Sequence, residues 1–181
     1  MTKDAIAQSA RSVYLRALES SDLDRVQVWH NDHALYETLA GTFRYVSRSV
    51  EEEWLRAAQS ASHQHINLAI CLTGTDKHIG NIYLREIDWV ARRAELHIFI
   101  GDADQRGHGY GRAAVRQLIE YAFRDLGLHR IYLLVLAGNL PAIRSYTACG
   151  MIQEGILRGH AFKGGKFVDV IVMGICDETG T

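Results

Sequence analysis

Hydrophobic positions along this chain change period several times, and each change marks an element. Val13 to Ala17 reads as a short strand after a loose first dozen residues. Leu23, Val26 and Trp29 recur at helical spacing, in a helix opened by Ser20 or Ser21. Ser49-Val50-Glu51-Glu52 has the form of a capping box, with Ser49 as the cap and Glu52 reaching back to it. The helix behind it carries Val50, Trp54, Leu55 and Ala58 on one face. Three strands follow, Ile66 to Leu72, Ile79 to Ile87 and Ala91 to Ile100, the first two joined by the turn Thr73-Gly74-Thr75-Asp76. In the third, Ala94, Leu96, Ile98 and Ile100 alternate with their neighbours, and the set predicts an antiparallel meander.

The longest helical stripe is Val115, Leu118, Ile119, Ala122, Phe123 and Leu126, stopped by Gly127 where a left-handed cap is needed. Ile131 to Leu136 is apolar throughout, as a strand covered on both faces would be. Strand, helix and strand in that order predict a crossover and a parallel pair. Pro141 opens a short helix that Gly150 closes. A final hairpin joins Ile156 to Lys163 with Lys166 to Ile175 through Gly164-Gly165. These elements predict one mixed α/β (α+β) domain over residues 13–176, with tails at 1–12 and 177–181.

Composition narrows the function classes. Of 181 residues 48% are apolar and 23% charged, which fits a globular chain and excludes disordered, collagen-like and coiled-coil ones. Lys and Arg number 20 against 21 Asp and Glu, so no basic excess points to nucleic acid. Cys71, Cys149 and Cys176 are widely spaced and form neither a disulfide framework nor a zinc signature. The first dozen residues lack the apolar core of a signal peptide. Ile131 to Ala137, the longest apolar run, falls far short of the roughly 20 residues that cross a bilayer. A cytoplasmic protein without nucleic-acid or membrane partners is expected.

The chemistry concentrates in Gln105-Arg106-Gly107-His108-Gly109-Tyr110-Gly111-Arg112, three alternate glycines between a strand and the best helix. Glycine permits positive φ and close approach, and a helix start offers unpaired N–H groups and the positive end of a dipole. Arg106, His108, Arg112 and Arg116 add positive charge, so a phosphate or pyrophosphate is the natural occupant. A dinucleotide fingerprint would need G-x-G-x-x-G and a later acid, whereas the following strand offers His129 and Arg130. The nucleotide P-loop needs G-K-[ST], and Gly165-Lys166-Phe167 lacks the hydroxyl.

Arg106-x-x-Gly109-x-Gly111 resembles the acetyl-CoA pyrophosphate loop of the GNAT superfamily of N-acetyltransferases. Ala94-Glu95-Leu96-His97-Ile98-Phe99-Ile100 is similar to the strand before that loop. Asn139, Ala142-Ile143-Arg144-Ser145-Tyr146 and Cys149-Gly150-Met151 resemble the family's Asn…Ala…Tyr…Gly-Phe segment, with Met for Phe. Tyr14-Leu15-Arg16-Ala17-Leu18 resembles its first strand, so the likeness runs from Val13 to Ile175. Within the superfamily the chain looks most like the branch of RimJ/RimL-type ribosomal-protein, spermidine and some amino-sugar acetyltransferases.

The resemblance implies a central, mostly antiparallel twisted sheet with one parallel crossover at the cofactor site and helices on both faces. It implies acetyl transfer from acetyl-CoA, without a metal, to a primary amine: a protein N-terminus, a polyamine or an amino sugar. Transfer would be direct, through a tetrahedral intermediate. Tyr146 matches the acid that protonates the leaving thiolate, and Glu95 is the candidate base, directly or through water. A solvated Glu95 paired with Arg92 or Arg93, and a core Tyr146, are the competing readings. Backbone N–H groups of Ile98, Phe99 and Ile100 would polarise the thioester oxygen. Arg106, Gly107, His108, Gly109, Tyr110, Gly111 and Arg112 would hold the pyrophosphate, Asn139 would fix the pantetheine arm, and Ala142 and Arg144 would also bind the cofactor. Asn139 equally suits a cap for the Pro141 helix.

Residues 31–45 show little periodicity, and in this family the corresponding region lines the acceptor pocket. Asn31, Asp32, Tyr36, Glu37 and, by strand alternation, His97 and His160 are acceptor-side candidates. His30 with His33 and His63 with His65 lack the further ligands of a metal site. Cys149 stands at a helix end and reads as packing, the Glu51-Glu52-Glu53 run as a solvated face, and Trp29 and Trp54 as core. Trp89 and the C-terminal hairpin offer apolar surface for a homodimer. The rival functions are a non-catalytic acyl-CoA-binding regulator and a nucleotide-binding module.

Overall fold

Backbone pairing draws seven strands into one sheet, in the order β1-β2-β3-β4-β5-β7-β6. They are β1 (Val13–Ala17), β2 (Ile66–Leu72), β3 (His78–Asp88), β4 (Arg93–Ile100), β5 (Arg130–Leu136), β6 (Ile152–Lys163) and β7 (Lys166–Cys176). The helices are α1 (Leu23–His30), α2 (His33–Tyr36), α3 (Arg48–Gln59), α4 (Tyr110–Arg124) and α5 (Leu140–Thr147). The computed structural model describes residues 12–60 and 62–178. Nearly all of the expected N-terminal tail and the end of the C-terminal one, 1–11 and 179–181, lie outside the described residues.

All adjacent pairs are antiparallel except β4 with β5, where α4 supplies the crossover. Alternation along β3 and β4 feeds a core on each face of the sheet. Ile82, Leu84, Ala94 and Leu96 join Ala114, Val115, Leu118 and Ala122 of α4. Tyr83 and Phe99 point the other way, to Val26 and Trp29 of α1 and Leu55 of α3. Helices therefore cover both faces, as a mixed sheet requires.

Several local expectations are corrected. The first helix begins at Leu23, behind a 3-10 turn over Ser20–Asp22, because Asp22 accepts the Glu19 N–H at 2.8 Å and closes that turn first. Ser47, not Ser49, caps α3: its hydroxyl takes the Val50 N–H, while Glu52 turns outward to Arg48. Val50 is exposed and Glu51 is wholly buried on the face that carries Trp54, Leu55 and Ala58. Strand β4 starts at Arg93 because Asp88 accepts the N–H groups of Val90 and Ala91 and holds them in a turn. Strand β6 begins at Ile152 instead of Ile156, its pairing with β7 continuing through two register shifts. Helix α4 ends at Arg124, and Gly127, at φ +64°, lets the Leu128 N–H reach back to the Ala122 carbonyl.

Candidate functional site

Strands β4 and β5 pair only where Arg93, Ala94 and Glu95 meet Arg130, Ile131 and Tyr132. Beyond Glu95 they run on without a shared ladder, which leaves strand groups between Leu96 and Phe99 facing open space toward β5. A cleft of about 1140 Å³ opens there, lined by Ile98, Phe99 and Ile100 on one side and by Leu134 and Val135 on the other. An added extended chain with amide groups would complete the broken ladder.

At one end the cleft meets the glycine loop. Gly107 and Gly109 take φ of +79° and +87°, which L side chains adopt only with strain. Gly109 precedes the first turn of α4, so the N–H groups of that turn face the loop. Six of the predicted loop residues line the cleft; Tyr110 does not, because its ring is buried in the α4 core. Arg106 braces the loop from within, donating to the Ile100 and Gly101 carbonyls at 2.8 and 2.9 Å. His108 folds onto the Arg106 carbonyl at 2.9 Å, and Arg116 caps the Ala148 carbonyl outside the cleft. At the loop end of the cleft Arg112 and Arg144 are exposed and make no ion pair with a described residue.

Helix α5 forms the opposite rim. The Asn139 side chain accepts the Ala142 N–H at 3.2 Å and donates to the Thr38 carbonyl at 2.9 Å, so it caps the helix and ties down the 36–41 loop. Lys163 adds a second tie, donating to the carbonyls of Tyr36 and Gly41. Ala142 and Tyr146 line the cleft. Burial pushes the Tyr146 hydroxyl up to about 12, the neighbouring Cys149 adding to it, and it stays protonated over the working range.

The far end of the cleft gathers several of the acceptor-side candidates. Glu95 faces it, 3.2 Å from His97 Nε2; of the partners weighed for it, Arg93 lies against Asp88 and Arg92 donates to the Gly127 carbonyl. Tyr36 and His160 also line it. Asn31, Asp32 and Glu37 do not: Asn31 exchanges hydrogen bonds with the Val46 backbone, Asp32 caps α2, and Glu37 sits beside His33. The sequence reading missed His30, Tyr83 and Arg85 in this wall, and buried Glu51 behind it, whose carboxylate lies 2.8 Å from His30 Nδ1. Alternation of β3 opposite β4 carried the signal for Tyr83 and Arg85, and the 51, 54, 55, 58 spacing the signal for Glu51.

No helix among the described residues is long and apolar enough to cross a membrane. Residues 12–152 match the family model described as an acetyltransferase (GNAT) domain. Over 92 residues the chain is 38% identical to the spermidine N(1)-acetyltransferase of Vibrio cholerae serotype O1, which covers 51% of this chain and 53% of that protein. Against the spermidine N(1)-acetyltransferase of Escherichia coli K12 it is 30% identical over 168 residues, 91% of this chain and 86% of the other. The crystal structure of the Vibrio cholerae spermidine N-acetyltransferase in complex with CoA and spermine superposes with a TM-score of 0.84 at 29% identity, covering 91% of this chain and 95% of that one.

Proposed function

Since this chain belongs to the GNAT family of N-acetyltransferases and draws on acetyl-CoA, we propose that it acetylates a primary amine in the cleft between β4 and β5. The observation that carries the reading is the parting of those strands, with Tyr146 on one wall and the positive-φ loop at the mouth. Arg112, Arg144 and the N–H groups at the start of α4 hold the diphosphate, and the open edge of β4 hydrogen-bonds the pantetheine amides. An N–H of the Ile98 to Ile100 stretch polarises the thioester oxygen. Glu95 takes the proton of the incoming ammonium, directly or through water, and frees the nitrogen lone pair. That pair attacks the acetyl carbon to give a tetrahedral intermediate, whose carbonyl re-forms as the carbon–sulfur bond breaks with its electrons on sulfur; the Tyr146 hydroxyl gives its proton to that sulfur, and the proton shed by the new amide nitrogen restores Tyr146 through solvent.

Release of free thiol on adding a primary amine tests the reading. Glu95→Gln is expected to lower kcat by about 10²-fold, since base catalysis contributes about 10²–10⁴. Calorimetric affinity for acetyl-CoA is expected to hold. Thiol release independent of amine, or an unimpaired variant, contradicts the assignment.

The same proposal includes a cytoplasmic homodimer, resting on the exposed Phe162 and Phe167 of the terminal hairpin and on Trp89. Sedimentation at twice the chain mass is expected; a monomer at micromolar concentration removes that part.

A further inference from the structure

Charge in the acceptor half of the cleft is arranged for something other than a polycation. Among the described residues Glu95 is the only carboxylate lining the cleft. Glu51 lies behind His30, and Glu37 is outside beside His33. Arg85 lines the same wall, half-buried, and makes no ion pair with a described residue. Its guanidinium carbon rests 4.7 Å from the centre of the Tyr83 ring, a contact that orients the group and leaves its N–H donors unspent.

Register adds a second observation. Arg85 on β3 stands directly opposite Glu95 on β4, on one face of the sheet. Such cross-strand neighbours normally close on each other. Here Glu95 turns to His97 at 3.2 Å and Arg85 leans over Tyr83, so an anion and a cation are held apart at the acceptor end. Desolvation already disfavours the charge on Arg85, so a ligand anion there gains a strong, charge-assisted partner.

Resting on the acetyl transfer proposed above, we propose that the acceptor carries a carboxylate near its amine, and that Arg85 selects it. The amine lies toward Glu95 and the carboxylate toward Arg85. A free amino acid has this form, and so does a peptide with an acidic residue next to its N-terminus. A polyamine has no group for Arg85 and places its second cation against it.

The test measures kcat/KM on the full-length protein for amino acids, their carboxamides, peptide pairs differing only as Asp or Asn at the second residue, and spermidine. Acids are expected to exceed their neutral counterparts by about tenfold or more, the scale of one hydrogen-bonded charge pair. Preference confined to the amino acids identifies a small-molecule acceptor, and preference confined to the peptides a protein N-terminus. Spermidine as the best acceptor, or acids and amides turned over alike, overturns the inference while leaving acetyl transfer intact. In Arg85→Gln the acid-over-amide ratio is expected to collapse, and in Arg85→Lys most of it to return. A ratio untouched by Arg85→Gln assigns the selection elsewhere and overturns it.

Discussion

Tyr146→Phe is expected to lower kcat by about 10²-fold or more, with acetyl-CoA affinity near the wild-type value. The substitution removes one oxygen from a side chain packed at the edge of the α4 core, so the ring and its contacts stay. What disappears is the proton that the proposed mechanism gives to the departing sulfur. Because burial lifts this hydroxyl to about 12, it is loaded at every pH at which the enzyme is assayed. The pH–rate profile of the variant should therefore keep the wild-type shape below about pH 10 and lose only height. Single-turnover acetyl transfer measured across pH, beside calorimetry with acetyl-CoA, checks both parts. A variant within a factor of about two of the wild type, or one whose profile changes shape below about pH 10, denies Tyr146 the role.

The second large effect is on stability and arises beneath the acceptor wall. Asp22 is buried where the 3-10 turn enters α1, and its oxygens meet Arg16 at 2.7 and 2.8 Å and His78 Nδ1 at 3.0 Å. Burial alone would raise its carboxyl. The bonds from Arg16, His78 and the Glu19 N–H outweigh that and hold it well below the usual carboxylate range. The cluster fastens α1, with Trp29 and His30, onto β1 and β3. Asp22→Asn leaves Arg16 half-buried without its anion, at a cost of about 3 kcal/mol. At 2–4 °C per kcal/mol for a chain of this size, the melting temperature should fall by about 6–12 °C near pH 7.

The pH dependence has a definite sign. A carboxyl held low in the fold adds stability in full above its unfolded value near 4, and that stability drains away as pH falls toward the folded value. The gap between wild type and Asp22→Asn should therefore be widest at neutral pH and narrow below about pH 4. Thermal melts of the two proteins from pH 3 to pH 7 read this directly, and equal melting temperatures throughout would contradict it.

How much of this was legible beforehand varies with how local each signal is. The α4 stripe, the glycine loop before it and the Asn139–Pro141 cap depend on neighbouring residues, and each stands where the sequence put it. Helix α3 shows the limit of such reading. Ser47 and Ser49 are both residues that cap, and the apolar spacing fits either Val50 or Glu51 on the inner face; His30, from another element, makes burying the acid tolerable. Arg106 gives a similar lesson. Its charge suggested a phosphate ligand, while in the fold its Nε and Nη2 also donate to the Ile100 and Gly101 carbonyls. The parting of β4 from β5 left no mark on either strand, because the alternation of β4 and the apolar run of β5 are both compatible with pairing to their ends. Alternation set Arg85 on one face with Glu95, but its meaning depends on which way that carboxylate on the next strand turns.

A crystal structure of the protein with bound CoA tests the central geometry most directly. Pantetheine amides are expected to be hydrogen-bonded along β4 beyond Glu95, the diphosphate to lie against the backbone of residues 107–112, and the sulfur to lie within hydrogen-bond reach of the Tyr146 hydroxyl. A sulfur out of reach of that hydroxyl, or a pantetheine arm that leaves the open edge of β4 untouched, would contradict it.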